Sequence, residues 1–120
     1  KTDKAPAPLG AYSQAITVGN MIFVAGQVAK DPATGEFAGS TMAEQTTQVV
    51  KNIDAILQDA GAGLEDVVKT TVHLSDLSMM KEFNEAYAKL FPDPKPARTT
   101  VGSQLVPNVL VEIDVIAVKS

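Results

Sequence analysis

The chain has 120 residues, of which 45% are hydrophobic and 20% charged, as expected for a single globular domain spanning residues 1–120. Ten Lys and Arg against fourteen Asp and Glu give a net charge of -4, which disfavours nucleic-acid binding because phosphates require a basic surface. With no Cys and one His, the sequence excludes disulfides, thiolate catalysis, Cys-ligated zinc and a metal site built on two histidines of one chain.

The sequence predicts neither a signal peptide nor a membrane-spanning segment. Lys1–Asp3 is polar and leads into Ala-Pro-Ala-Pro, so it lacks the apolar core of a signal peptide. The most apolar runs, Met21–Ala25 and Val115–Val118, are far shorter than the roughly 20 residues that span a bilayer. The sequence therefore predicts a cytoplasmic protein without a membrane partner.

A hairpin is predicted at the beginning of the chain. Its strands, Tyr12–Val18 and Met21–Gly26, flank Gly19-Asn20, a pair typical of two-residue hairpin turns. A second turn at Asp31–Gly35 leads into a short extended segment at Glu36-Phe37.

A long helix follows the hairpin. Thr41 and Glu44 have the spacing of a capping box, and apolar residues spaced three and four apart continue from Met42 to Ala60. Gly61 is suited to end the helix because glycine readily adopts the left-handed conformation of a C-terminal stop.

The second half of the chain alternates between strand and helix patterns. A strand is predicted at Val68–Leu74 and a helix from about Ser78 to Phe91, which ends before the rigid proline-rich segment 92–96. Two further strands are predicted at Arg98–Gln104 and Val109–Val118. This order favours an α+β fold in which two helices cover one face of a mixed sheet.

The predicted sheet has more apolar surface than two helices can cover. In the middle strand, Val68, Thr70, Val72 and Leu74 are predicted to share the buried face. In the last strand both rows of alternating side chains are largely apolar, so we expect the second face to pack against another subunit.

Arg98 and Glu112 are the strongest candidates for chemistry. Glu112 interrupts the most hydrophobic strand, where a carboxylate needs a cationic partner or a raised pKa. Arg98 follows a rigid proline approach, and an Arg fork suits a small carboxylate ligand because it donates two parallel hydrogen bonds. The alternatives are a structural Arg98–Glu112 ion pair, or a Glu112 that simply reaches solvent.

Four other residues carry weaker signals. Asp114 shares a face with Glu112, and such a pair could share a proton or bind a metal, although solvation at the sheet rim is favoured. His73 is interpreted as a surface or interface histidine. Tyr12 either lines a pocket or is a half-buried strand residue, and Gly26 permits close approach of a ligand or neighbouring chain.

Five motifs occur in an order that resembles the Rid family, the reactive intermediate deaminases, also called the YjgF-type family. They are Gly10-Ala11-Tyr12-Ser13-Gln14-Ala15, Phe23-Val24-Ala25-Gly26-Gln27, Phe83-Asn84-Glu85-Ala86-Tyr87, Pro96-Ala97-Arg98-Thr99-Thr100-Val101 and Val111-Glu112-Ile113-Asp114. The resemblance covers nearly the whole chain, and five motifs in register are together specific.

The resemblance implies a chorismate-mutase-like α+β fold and a homotrimer whose sheets face the centre, with ligand clefts between subunits. It also implies hydrolysis of 2-imino acids, such as 2-iminopropanoate and 2-iminobutanoate, to 2-keto acids and ammonia. No metal or organic cofactor is implied.

The resemblance also implies roles for single residues. Arg98 matches the family's clamp for the substrate carboxylate, and Glu112 matches the acid that positions or deprotonates water. Tyr12 and Asn84 match pocket residues, and Gly26 matches a glycine whose backbone contacts the substrate.

The chain departs from the family pattern at three positions. Ala11 replaces a frequent Pro, Ala25 a frequent Ser near the ligand, and Thr100 a frequent Cys. The backbone at Thr100 can still contact ligand, but regulation through a thiol is excluded.

Two other functions compete with the deaminase. The first is a non-catalytic protein that uses Arg98 to bind a small keto or amino acid. The second is ribonuclease activity or translation inhibition, a role ascribed to some relatives, which the acidic charge disfavours.

Overall fold

The computed structural model describes all residues 1–120 and contains one five-stranded sheet with two helices on one face. The strands are β1 (Ala15–Val18), β2 (Met21–Gln27), β3 (Val67–Leu74), β4 (Ala97–Gly102) and β5 (Val111–Val118), and the helices are α1 (Met42–Asp59) and α2 (Met80–Leu90). The strand order is β1-β2-β5-β3-β4, and all neighbours are antiparallel except β3 and β4. The predicted α+β fold with a mixed sheet is confirmed.

The predicted hairpin is present, but its first strand is shorter than expected. Gly19 takes the turn at a φ of 59°, a value that glycine adopts at little cost. β1 begins at Ala15 rather than Tyr12, and the residue before it, Gln14, is 3% exposed. The Gln14 amide donates to the carbonyls of Thr2 (3.2 Å) and Pro6 (3.0 Å) and accepts from the Thr2 N–H (2.8 Å). This side chain therefore ties down the beginning of the chain.

Helix α1 begins and ends as its local signals predict. The Thr41 hydroxyl accepts from the Glu44 N–H at 3.1 Å, and the Glu44 carboxylate accepts from the Thr41 N–H at 3.1 Å. Hydrogen bonds from the backbone of Thr41 and then Ser40 lower the pKa of Glu44. Beyond the helix, Gly61 has a φ of 82°, as expected for a glycine stop.

Two buried amides on α1 hold neighbouring loops. Asn52 donates to the carbonyls of Val28 (3.1 Å) and Lys30 (2.9 Å) in the segment after β2. Gln45 donates to the Asn108 carbonyl and accepts from the Leu110 N–H, both at 2.9 Å, in the connection before β5. These amides replace the hydrogen bonds that regular structure would give the loops.

The predicted second helix has a tighter first turn than expected. A 3₁₀ turn spans Leu77–Met79, and the Asp76 carboxylate caps it by accepting from the Ser78 N–H at 2.9 Å. The α-helical part begins only at Met80 and ends at Leu90.

One predicted buried position in β3 is wrong. Thr70, Val72 and Leu74 lie under the helices as expected, but Val68 is 48% exposed. The pairing of β3 with β5 shifts between Val67 and Lys69, so Val67 takes the buried position instead. Such a bulge turns one side chain to the other face.

The sheet face away from the helices is apolar along β1, β2 and the end of β5. We call it the open face. Ile16, Phe23 and Ile116 are neighbours across three strands, and Ile16 and Phe23 are 52% and 38% exposed. Val18 and Val68 on this side are also exposed. No helix in the structure is long and apolar enough to span a membrane.

Candidate active site

A pocket of about 140 Å³ lies where the beginning of the chain meets the end of β2. It contains two predicted site residues, Tyr12 and Gly26. Its walls come mainly from irregular segments and include Pro8, Leu9, Gln27, Val28, Lys30, Phe37 and Val106. The amides of Gln14 and Asn52 hold two of these segments in place, so the pocket's shape depends on buried side chains outside the sheet.

Tyr12 lies outside the strand in which it was predicted. Its side chain is 54% exposed, and its N–H donates to the Gly10 carbonyl at 2.9 Å. The interpretation of Tyr12 as a half-buried strand residue is therefore wrong. The interpretation as a pocket residue agrees with its position.

Glu112 and Gly26 are in direct contact. The pairing of β2 with β5 shifts between Val24 and Gln27, and Gly26 lies within this irregularity. A Cβ atom on Gly26 would lie 2.7 Å from Glu112 Oε2 and 3.0 Å from its Cδ. Only a residue without a side chain leaves room here for the half-buried carboxylate.

Arg98 lies on the other side of the sheet, exposed on edge strand β4. Its guanidinium lies over the rings of Phe83 (5.4 Å) and Tyr87 (5.0 Å) on α2. The chain's two ion pairs are those of Lys1 with Asp59 and of Lys95 with Asp93, so no carboxylate of this chain neutralises the Arg98 guanidinium.

Asn84 and Thr100 lie on the two elements that position Arg98, helix α2 and strand β4. Asn84 is exposed on α2 between the two aromatic residues that contact the guanidinium. Thr100 lies two residues after Arg98 on β4, and its hydroxyl is buried without a hydrogen-bond partner.

The proposed structural ion pair between Arg98 and Glu112 is wrong. Arg98 packs on α2, whereas Glu112 alternates with Val111 and Ile113, which face the helices, and therefore lies on the open face. One chain thus brings the predicted residues together in two groups. We call Tyr12, Gly26 and Glu112 the pocket group, and Asn84, Arg98 and Thr100 the clamp group.

The other titratable residues of the open face form a polar region near Glu112. His73 is the register partner of Glu112, and its Nδ1 lies 2.7 Å from the Ser103 hydroxyl. Burial raises the pKa of Asp114, while the charges of His73 and Lys69 and a hydrogen bond from Thr71 oppose the rise. Asp114 is intermediate in exposure on the open face, so solvent still reaches it, as the expected solvation requires. No three His, Cys, Asp or Glu side chains are grouped to hold a metal ion.

Sequence reasoning missed several residues of these sites. Lys30, Phe37 and Val106 line the pocket from irregular segments, where no periodic pattern marks them. Phe83 and Tyr87 are apolar residues four apart on the predicted second helix, a spacing that predicts inward packing and gives no sign of contact with Arg98. The Arg98 side chain could not be placed over them without the pairing of β4 with β3.

Comparison with known proteins gives matches over almost the whole chain. Residues 2–119 match the family described as Endoribonuclease L-PSP. A RutC family protein of Pyrococcus abyssi is 54% identical, over 98% of this chain and 94% of its own length. Reactive Intermediate Deaminase A, chloroplastic, of Arabidopsis thaliana is 48% identical, over 97% of this chain and 63% of its own length.

Solved structures agree with the fold. The crystal structure of RidA from Psychrobacter sp. has a TM-score of 0.94 at 43% identity, over 98% of this chain and 96% of that chain. The YjgF gene product of E. coli has a TM-score of 0.93 at 38% identity, over 99% and 96%. The resemblance found in the five motifs is confirmed, and the chain belongs to the Endoribonuclease L-PSP family, which includes the Rid and YjgF proteins.

Proposed function

We propose that this chain hydrolyses 2-imino acids, such as 2-iminopropanoate and 2-iminobutanoate, to 2-keto acids and ammonia. The observation that carries the proposal is the half-buried Glu112 carboxylate held against Gly26 beside the pocket. A carboxylate in this position is suited to accept a proton from a water molecule. The 48% identity to a protein named Reactive Intermediate Deaminase A supports the same chemistry.

The reaction needs little from the protein, because the iminium carbon is already electrophilic. Glu112 accepts a proton from water while the water oxygen forms a bond to that carbon. The proton then passes to nitrogen, the C–N bond breaks as Glu112 accepts the hydroxyl proton, and ammonia leaves as the keto group forms. Positioning of the substrate and one proton acceptor are sufficient, and no step requires a cofactor.

The substrate carboxylate requires a cation, and Arg98 supplies it in this proposal. Its guanidinium is free of ion pairs within the chain and can donate two parallel hydrogen bonds. Asn84 and Thr100 belong to the same side of the site, and Tyr12 and Gly26 contact the substrate from the other.

The two groups belong to different copies of the chain in a homotrimer, because one chain places them on opposite faces of its sheet. The exposed apolar row of Ile16 and Phe23 on the open face supports burial between copies. Light scattering should give a mass about three times the 12.6 kDa of the chain. A monomer that retains full activity would contradict the shared site.

The activity is tested by following a 2-imino acid released in solution by a pyridoxal-phosphate dehydratase acting on serine or threonine. The chain should accelerate the loss of the imine. Arg98→Ala should lower kcat/KM at least a hundredfold, the size expected for a buried charge-assisted pair, and Glu112→Gln should lower mainly kcat. Full activity in Arg98→Ala would contradict the clamp, and the assembly should stay intact in both variants.

The same experiment separates the enzyme from a carboxylate-binding protein. Such a protein would bind 2-oxobutanoate through Arg98 but would leave the rate of imine loss unchanged. It would also tolerate Glu112→Gln, since binding requires no proton acceptor. Binding without acceleration would therefore reject the deaminase in favour of this alternative.

A further inference from the structure

The Arg98 guanidinium lies on an aromatic surface that the substrate does not need to touch. The rings of Phe83 and Tyr87 lie 5.3 Å apart, tilted by 45°, and the guanidinium lies within 5.4 Å of both centroids. A cation at this distance from a ring face is attracted by the ring's negative quadrupole. The contact leaves the edge of the planar guanidinium, with its hydrogen-bond donors, free for a carboxylate.

The two rings are themselves fixed. Phe83 is fully buried and Tyr87 is 5% exposed, so neither can turn without moving the core. The Tyr87 hydroxyl lies 2.8 Å from the hydroxyl of Thr70, which is also fully buried. Burial raises the pKa of Tyr87, opposed by this hydrogen bond and by the Arg98 charge, so the phenol stays neutral at physiological pH.

Thr70 links the aromatic rings to the strand that carries Arg98. It is the register partner of Arg98 across β3 and β4, so strand pairing fixes the Arg98 backbone beside the residue that anchors Tyr87. Arg98 lies exposed on an edge strand and has many rotamers. Strand pairing restricts its backbone, and the two rings restrict its guanidinium.

We propose that Phe83 and Tyr87, fixed by their burial in the core, are positioning residues that hold the Arg98 guanidinium ready for the substrate carboxylate. This inference rests on the proposed function only in taking Arg98 as the clamp. The rings reduce the conformational freedom that Arg98 loses on binding, so they act on affinity for carboxylates and not on water activation. Loss of either ring should therefore raise KM and change kcat little.

The test measures the binding of 2-oxobutanoate, which does not react, by calorimetry. Tyr87→Leu and Phe83→Leu should each weaken binding about fivefold, the size of one partly exposed cation–π contact. Phe91→Leu is the matched control, because its ring lies 4.6 Å from that of Tyr87 but does not contact Arg98. Tyr87→Phe keeps the ring and should bind within about twofold of the unchanged chain.

Equal losses in Tyr87→Leu and Phe91→Leu would overturn the proposal, since they would reflect only damage to the core. Unchanged binding in both Tyr87→Leu and Phe83→Leu would overturn it as well. In an Arg98→Ala background, Tyr87→Leu should cause no further loss. If Arg98→Ala itself binds as tightly as the unchanged chain, the clamp role in the proposed function fails, whatever the rings do.

A second measurement does not depend on the leucine variants folding. The Nε–H resonance of Arg98, assigned by its disappearance in Arg98→Lys, should lie upfield of that of free arginine because two ring currents shield it. A resonance at the position of free arginine would overturn the contact. The upfield shift should persist in Tyr87→Phe.

Discussion

Gly26 determines where the Glu112 carboxylate lies. A methyl group at residue 26 would be 2.7 Å from Glu112 Oε2, which is closer than non-bonded atoms approach. The atom that must yield is the end of a flexible side chain, so the fold can absorb the change while the carboxylate moves. A substitution of Gly26 can therefore displace the Glu112 carboxylate while the chain still folds.

We therefore expect Gly26→Ala to lower kcat about tenfold to a hundredfold, because small displacements of a catalytic group have effects of this size. The free energy of unfolding should change by less than about 1 kcal/mol, since alanine is favoured over glycine within a strand. Steady-state kinetics and chemical denaturation measure the two effects. In a Glu112→Ala background the substitution should have no further effect on kcat, and a further loss would contradict this explanation.

At the scale of single residues, the sequence indicates Arg98 and Glu112 because a charge in or beside an apolar strand requires an explanation. It does not indicate their relation. The ion pair that was one alternative for them is absent within the chain, because Arg98 faces α2 while Glu112 faces away from it. Which face each side chain takes depends on strand register, which a residue's identity does not reveal.

Helix α1 shapes the site without contributing a residue to its chemistry. Its buried Asn52 holds the carbonyls of Val28 and Lys30, and both residues line the pocket. Its Gln45 holds Asn108 and Leu110 in the same manner in the segment before β5. A helix with two buried amides thus adds to the few backbone hydrogen bonds that these loops make themselves.

Asn52→Ala should lower the free energy of unfolding by about 1–3 kcal/mol, because it leaves the Lys30 carbonyl without a donor and removes one of the two hydrogen bonds at the Val28 carbonyl. It should also raise KM, since the segment that lines the pocket is released. Gln48→Ala is the matched control: it removes only the 2.8 Å hydrogen bond to Asn52 Oδ1 and should cost less than half as much. Equal losses in urea denaturation would show that the loop contacts carry no special weight.

Features that depend on neighbouring residues are predicted well here, whereas features that depend on the pairing of distant strands are not. The capping box and the glycine stop of α1 involve residues within four positions of each other, so the sequence contains all that they need. The exposure of Val68 depends on a bulge that exists only when β3 pairs with β5. The parallel pairing of β3 with β4 likewise requires the whole α2 crossover to form.

At the scale of the whole molecule, the proposed function assigns the activity to an assembly, because one chain separates the pocket group from the clamp group. If the groups meet between copies, Glu112 of one copy works with Arg98 of the next. A chain that lacks Arg98 and a chain that lacks Glu112 then fail for different reasons, and each retains what the other lacks.

Mixing Arg98→Ala and Glu112→Gln chains should therefore restore activity. When equal amounts are unfolded and refolded together, random assembly gives an intact Glu112–Arg98 pair at about one site in four. We expect about a quarter of the activity of the unchanged chain, measured as the rate of imine loss. Each variant refolded alone is the control, and a mixture no more active than its parts would place both residues in a single copy.

The tie that Gln14 makes to Thr2 and Pro6 has a consequence for how this protein diversifies. The pocket wall that follows, residues 6–9, is irregular, and its Leu9 is 81% exposed, so substitutions there disturb neither the sheet nor the core. Glu112 and Arg98, in contrast, are fixed within strands. Under the proposed function, a lineage can therefore alter which substrate side chains the pocket admits by changing a few residues among 6–9, while Glu112 and Arg98 stay unchanged.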